Sequence, residues 1–144
     1  MIRMLEKYAK FSSVLLRVGI AVTFVAFGVD KFVHPSVWIN WIPPRVLFYV
    51  PFSSQVFIYV QGAAESLIGL AIFFGFFTRV AALIAGLLML GIVVALGLND
   101  ITLRDVSTMM ACFALALTGS SVWSVDARMR WKKQRREPEE IILE

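Results

Sequence analysis

Long apolar stretches broken by single charges dominate this chain. Positions 80–98 carry no charge, and neither do positions 106–125. At about 1.5 Å of helical rise per residue, each stretch covers a bilayer hydrocarbon core of roughly 30 Å. Both are expected to be transmembrane helices. Two further stretches carry isolated ionisable residues. Positions 11–32 are apolar apart from Arg17 and, at the outer end, Asp30 and Lys31. Positions 54–77 are apolar apart from Gln61 and Glu65. The pattern predicts an all-α, polytopic membrane protein, a four-transmembrane-helix bundle with helices near 11–33, 54–77, 79–98 and 105–125. It predicts one transmembrane domain over 1–131 and a charged cytoplasmic tail over 132–144. A secretory signal is the competing reading of the first stretch, since Arg3, Lys7 and Lys10 precede it and Ala26-Phe27-Gly28 resembles a cleavage site. Arg17 inside the apolar region favours an uncleaved helix.

Composition supports a life in the bilayer. Of 144 residues, 59% are hydrophobic and 17% charged, and mean hydropathy is +0.78. Soluble domains hold about 45–50% apolar and about 25% charged residues. A separate soluble enzyme domain would need about 100 residues, and the four spans leave no room for one. The net charge is +4, and much of the positive charge lies in the run from Arg128 to Arg136. Beside a span such a run reads as a cytoplasmic flank facing anionic lipid, not as a nucleic-acid site. Cys112 is the one cysteine and His34 the one histidine. An internal disulfide, a two-imidazole haem and a metal cluster held by this chain alone are therefore not expected. A mid-membrane thiol such as Cys112 behaves as a small hydrophobe.

Lys and Arg set the orientation. The N-terminal cations, Arg79 between the second and third spans, and the C-terminal cluster share one side, assigned to the cytoplasm of a multi-pass plasma-membrane protein. The loop after the first span is then outside, as is the segment 99–104. That first loop holds Trp38, Trp41, Phe48 and Tyr49 among Pro43, Pro44 and Pro51. It is expected to form a short interfacial segment, an anchor in the headgroup region more than a lid over a cavity.

A charge within the hydrocarbon is expensive, so it faces the bundle interior and finds a partner. Arg17 and Glu65 meet that description. Depths of about 9 Å and about 18 Å from the inner side, at helical rise, leave a gap that an extended arginine can bridge. The two would form a structural clasp, or Glu65 would relay protons. Gln61, one turn from Glu65, points to the same interior. At the outer rim, Lys31, His34, Arg104 and Asp105 form a polar mouth able to hold a headgroup or an anionic reductant, or else are ordinary interfacial charges. Asp105 also suits the N-terminal cap of the fourth helix. Gly62 with Ser66, and Ala82 with Gly86, have the spacing of close helix packing. Phe73, Phe74, Phe76 and Phe77 read as lipid-facing bulk.

Arg17, Gly19, Gly28 and Lys31 resemble the DoxX-like pattern R-x-G…G-x-x-K. Glu65, Gly69, Gly75, Thr78, Arg79 and Ala81 resemble its second block, E-x3-G…G-x-x-T-R-x-A. Arg104-Asp105 and Ser124-Val125-Asp126 fit later segments. The first loop departs from the shortest members in its length and its proline and tryptophan content. The resemblance implies a four-helix membrane bundle. The family takes its name from a subunit of archaeal thiosulfate:quinone oxidoreductase, which implies quinone and a sulfur or thiol reductant. The expectation is an integral membrane subunit of a quinone-linked oxidoreductase complex. Glu65 and Arg17 would be its catalytic pair, and Lys31, His34, Arg104, Gln61 and Asp105 its substrate-binding residues. With no cofactor bound by this chain alone except a quinone, a partner redox or membrane protein is expected, with self-association a further option. The alternatives are a non-catalytic scaffold or assembly subunit, and a lipid or small-molecule carrier.

Overall fold

The computed structural model describes residues 11–119, 124–129 and 131. The charged tail over 132–144 and the N-terminal cations Arg3, Lys7 and Lys10 lie outside the described residues. Four helices are long and apolar enough to cross a membrane. They are α1 (Ser12–Val33), α4 (Ser54–Phe74), α5 (Thr78–Leu96) and α6 (Asp100–Thr118). Two short helices, α2 (Pro35–Ile39) and α3 (Pro44–Leu47), occupy the first loop. Each begins at a proline, whose fixed φ and missing N–H suit a first helical turn.

The helix ends explain where the expected bounds shift. α4 stops at Phe74 because Gly75 adopts the left-handed conformation, with φ 70°. Its N–H reaches the Ile72 carbonyl at 3.1 Å, and the Phe76 N–H reaches the Ala71 carbonyl at 2.9 Å. This is a Schellman closure, which uses the last carbonyls that a helix leaves without partners. α6 starts at Asp100, five residues before the expected 105, and Asp105 is not its cap. Asn99 caps it: its side-chain oxygen accepts from the N–H groups of Ile101 and Thr102, both at 3.0 Å. The Thr102 hydroxyl returns the favour by accepting from the Asn99 N–H at 2.8 Å, which completes a capping box. The expectation placed Asp105 at the end because charge marks a boundary. Here the charges occupy the first turns of the helix itself.

α1 packs chiefly on α4, and α5 chiefly on α6. Small residues allow the close approach. A Cβ at Gly28 would collide with Ser66 and the Gly62 carbonyl, one at Gly69 with Val25 and Phe24, and one at Gly86 with the Phe113 ring. Both expected small-residue pairs, Gly62 with Ser66 and Ala82 with Gly86, therefore lie at helix contacts. The two helix pairs join over a core of Ile20, Phe24, Ile72, Ala82, Ala85, Cys112 and Leu115. Cys112 is fully buried in it, as a small hydrophobe would be. The large apolar side chains left exposed, among them Leu15, Leu67, Val94, Leu117 and the four phenylalanines at 73, 74, 76 and 77, form the surface offered to lipid.

The connections fall at two ends. Ser13 donates to the Gly119 carbonyl at 2.8 Å and the Asp126 N–H to the Gly75 carbonyl at 3.1 Å, so the start of α1, the α4–α5 turn and the segment after α6 share one end. The first loop and the α5–α6 turn share the other, where the Arg45 guanidinium donates to the Ala95 carbonyl.

Candidate functional site

The buried charges separate into two places. The first is beside the α1–α4 contact. Gly28, Gly62 and Ser66 bring these antiparallel helices together there. A helical side chain leans toward the N-terminus of its own helix. Lys31 on α1 therefore leans toward the Ser12 end of its helix, and Glu65 on α4 toward the Ser54 end of its own, so the two converge. Lys31 Nζ lies 2.6 Å from Glu65 Oε2, with side chains 3% and 2% exposed. The Gln61 amide donates to the other carboxylate oxygen, Oε1, at 3.4 Å. Lys31 Nζ also stands 3.9 Å from the centre of the Trp38 ring. A cation over an aromatic face is attracted by the ring quadrupole. Trp38 is held in turn by its indole N–H, which donates to Asp30 Oδ2 at 2.8 Å, and by an edge-on contact with Phe27.

This cluster forms part of the wall of a cavity of about 610 Å³ between the two helix pairs. The wall is mainly apolar and aromatic, with Phe24, Phe27, Phe57, Ile58, Leu88 and Ile92 contributed by the long helices. Trp38, Trp41, Ile42, Pro43 and Val46 of the first loop line it at that end of the bundle. The loop thus covers the cavity with one face, while Phe48 and Tyr49 project outward, 84% and 83% exposed, as interfacial anchors do. Lining the rim, Arg104 approaches Asp105 Oδ1 at 3.4 Å and lies over the Phe27 ring at 5.5 Å. Such a cavity, mostly apolar with a few converging polar groups, has the size and character of a small-molecule site.

The second place is the opposite end of α1. Arg17 is buried, and it does not clasp Glu65 as the sequence suggested. Its Nε donates to the Ile72 carbonyl at 3.0 Å and its Nη2 to the Phe73 carbonyl at 2.6 Å. These are carbonyls at the end of α4, where a cation is favoured by the helix dipole. Gly75 passes so close that a Cβ would meet the Arg17 guanidinium and Ser124. Asp126 completes the arrangement. Its carboxylate accepts from the N–H groups of Phe77 and Thr78, at 2.9 and 2.8 Å, and from the Thr78 hydroxyl at 2.8 Å. An acidic cap at the start of α5 is what the helix dipole favours. It also holds Phe77 at φ 45°, a conformation that costs a bulky residue about 1–2 kcal/mol.

Of the residues expected to act, the structure brings Lys31, Glu65, Gln61, Arg104 and Asp105 to one cavity. Lys31 lies within the bundle, not at its mouth. His34 is outside the cavity wall: its side chain is 60% exposed, and its Nδ1 lies 2.7 Å from Asp30. Arg17 is 14 positions from Lys31 on the same helix, or about 21 Å away at helical rise. In the sequence Trp38 reads only as one aromatic of the first loop; its contact with Lys31 is what sequence reasoning did not foresee. Its signal was the eight-residue interval from Asp30 across a proline turn, which sequence alone does not fold.

A family model described as DoxX matches residues 12–98. The chain belongs to the DoxX family. Searches of curated proteins and of solved structures found no match. The matched span runs from α1 through α5 and includes both halves of the Lys31–Glu65 pair, Gly28 and Gly69 that set the α1–α4 approach, and Arg17, Gly75 and Thr78 of the second cluster.

Proposed function

We propose that this DoxX-family membrane protein is a subunit of a quinone-linked oxidoreductase complex in the plasma membrane, with both termini cytoplasmic. Its bundle cavity would receive the quinone. The observation that supports this reading is the combination in one wall of flat aromatic side chains with a buried Lys31–Glu65 pair and Gln61. Lys31 and Gln61 supply hydrogen-bond donors for a ring carbonyl. Phe27, Trp38 and Trp41 supply the faces against which a ring packs. When bound, a quinone would accept electrons delivered by a partner redox protein. The chain's own part is to bind the ring, exclude water from it and hold a proton at Lys31 Nζ or Glu65.

A scaffold role has its own support. Arg17, Gly75, Thr78 and Asp126, all at positions of the family pattern, are engaged in tying helix ends together. The two readings separate by mass spectrometry of small molecules extracted from protein purified in mild detergent. The quinone reading expects quinone in near-equal amount to protein, and its loss in the cavity-filling variant Ala64→Phe. Quinone absent from the wild type, or retained equally in Ala64→Phe, would overturn it. In a reconstituted complex, Glu65→Gln should abolish quinone-dependent turnover per assembled complex. Unchanged turnover would remove Glu65 from the chemistry.

A further inference from the structure

The charge of the cavity wall is balanced. Two cations, Lys31 and Arg104, and two anions, Glu65 and Asp105, are its ionisable lining residues. Lys31 and Glu65 lie 2.6 Å apart and are almost wholly out of solvent. Whether the shared proton sits on Nζ or on Oε2, the pair sums to zero. The remaining partners of the pair add no net charge: Gln61 donates to Glu65, and Trp38 offers a neutral ring to Lys31. At the rim, Arg104 stands against Asp105.

We propose that this cavity selects ligands with an uncharged, hydrogen-bonding head and an apolar body, and that the Lys31–Glu65 pair is the specificity-determining element. The proposal deepens the cavity-binding reading and rests on it for the claim that the cavity is a ligand site. The physical reason is desolvation. A charged head brought into an apolar wall must find an opposite charge, and among the described residues the deep ones, Lys31 and Glu65, already neutralise each other. Opening the pair to serve an anion would strand the Glu65 carboxylate, and serving a cation would strand the Lys31 ammonium. A neutral carbonyl or hydroxyl needs neither. It takes a hydrogen bond from a lysine N–H not pointed at Glu65, or gives one to the carboxylate, with the pair intact. An anionic sulfur reductant is then not a ligand of this cavity, and its electrons would reach the site from a partner chain.

The pair also predicts how the preference can be rewritten. Glu65→Gln leaves Lys31 as an unneutralised cation and converts the cavity into an anion site. Lys31→Met leaves Glu65 and converts it into a cation site. Lys31→Met/Glu65→Gln removes both charges and keeps the neutral preference.

Decanol, decanoate and decylammonium share one apolar chain and differ in head charge. Their binding to the full chain in nanodiscs of zwitterionic lipid can be measured by isothermal titration, referenced to empty nanodiscs, at a pH where both charged probes are ionised. The wild type is expected to bind decanol at least about tenfold more tightly than either charged probe, a difference of about 1.4 kcal/mol. Glu65→Gln is expected to place decanoate first, and Lys31→Met to place decylammonium first. Equal binding of decanol and decanoate by the wild type would overturn the proposal. So would an unchanged order in Glu65→Gln. Should a single variant fail to fold, the double variant carries the test: it must still prefer decanol, and a charged preference there would sink the idea. Failure of a decyl-substituted benzoquinone to bind, with the decanol order intact, would instead overturn the quinone reading alone. No binding by any probe would overturn both.

Discussion

Replacing Gly28 by alanine separates local from tertiary reasoning. Taken as a helical position, Gly28→Ala should stabilise α1, because alanine is favoured over glycine in a helix interior by about 1 kcal/mol. The α1–α4 contact says otherwise. A Cβ at position 28 would press on the Ser66 hydroxyl and stand 2.7 Å from the Gly62 carbonyl oxygen and 2.8 Å from the Ser66 nitrogen. The hydroxyl can rotate away only by giving up its 2.8 Å bond to the Gly62 carbonyl, a net loss of about 1 kcal/mol. The two backbone atoms cannot rotate, so the helices must part. Overpacking of this kind costs about 1–3 kcal/mol. The sum is a net destabilisation of about 1–3 kcal/mol, and at roughly 2–4 °C per kcal/mol for a chain of this length the unfolding midpoint falls by several degrees. Gly19 is the internal control. It lies on the same helix with nothing within 4 Å of a built Cβ, so Gly19→Ala should gain what propensity offers. Thermal unfolding of both variants in one mild detergent, followed by far-ultraviolet circular dichroism, makes the comparison. If Gly28→Ala is as stable as Gly19→Ala, the close α1–α4 approach is refuted, and with it the placement of Lys31 against Glu65.

Other outcomes follow from the same geometry. Lys31→Met strands a buried carboxylate and should cost about 3–5 kcal/mol, much of it recovered in Lys31→Met/Glu65→Gln; chemical unfolding of the three proteins tests the coupling. Asn99→Ala removes one half of the α6 capping box and should cost about 1 kcal/mol, visible as a lowered unfolding midpoint. Asp126→Ala withdraws three hydrogen bonds from the start of α5 and should cost about 2 kcal/mol, while leaving quinone content unchanged because the cavity lies toward the other end. Gly75→Ala combines a φ of 70° with collisions at Arg17 and Ser124 and should be the most damaging glycine substitution, read as loss of folded protein on detergent size-exclusion chromatography.

The candidate site was legible in part. Arg17 and Glu65 stood out because charge inside an apolar stretch is costly, and both are buried. The pairing was misread because depth was counted from helix ends. That count left out the direction of side-chain lean. On antiparallel helices Glu65 leans toward the first-loop end of the bundle and Arg17 toward the opposite end, so they diverge, while Lys31 leans to meet Glu65. Lys31 looked like a rim charge because it lies two residues from the end of its helix. Its four-carbon chain and its lean carry the ammonium inward. The first loop read as an anchor from its aromatic content, and Phe48 and Tyr49 behave so. That Trp38 and Trp41 line the cavity depends on how two short proline-initiated helices pack, with Trp38 held by contacts with Asp30, Phe27 and Lys31 that are remote in pattern.

The sequence by itself determined the number of spans, their approximate bounds, which helix ends and turns share a side, and that charge would be found within the bundle. These follow from transfer into the bilayer, which is close to additive along the chain and so can be summed residue by residue. Only the tertiary structure decided which charge meets which, and that a cavity lies between the helix pairs under a two-tryptophan cover. Those outcomes turn on helix register and rotation, set by the few glycines at which two backbones touch. A shift of one turn would leave every hydropathy sum unchanged and give Lys31 a different partner.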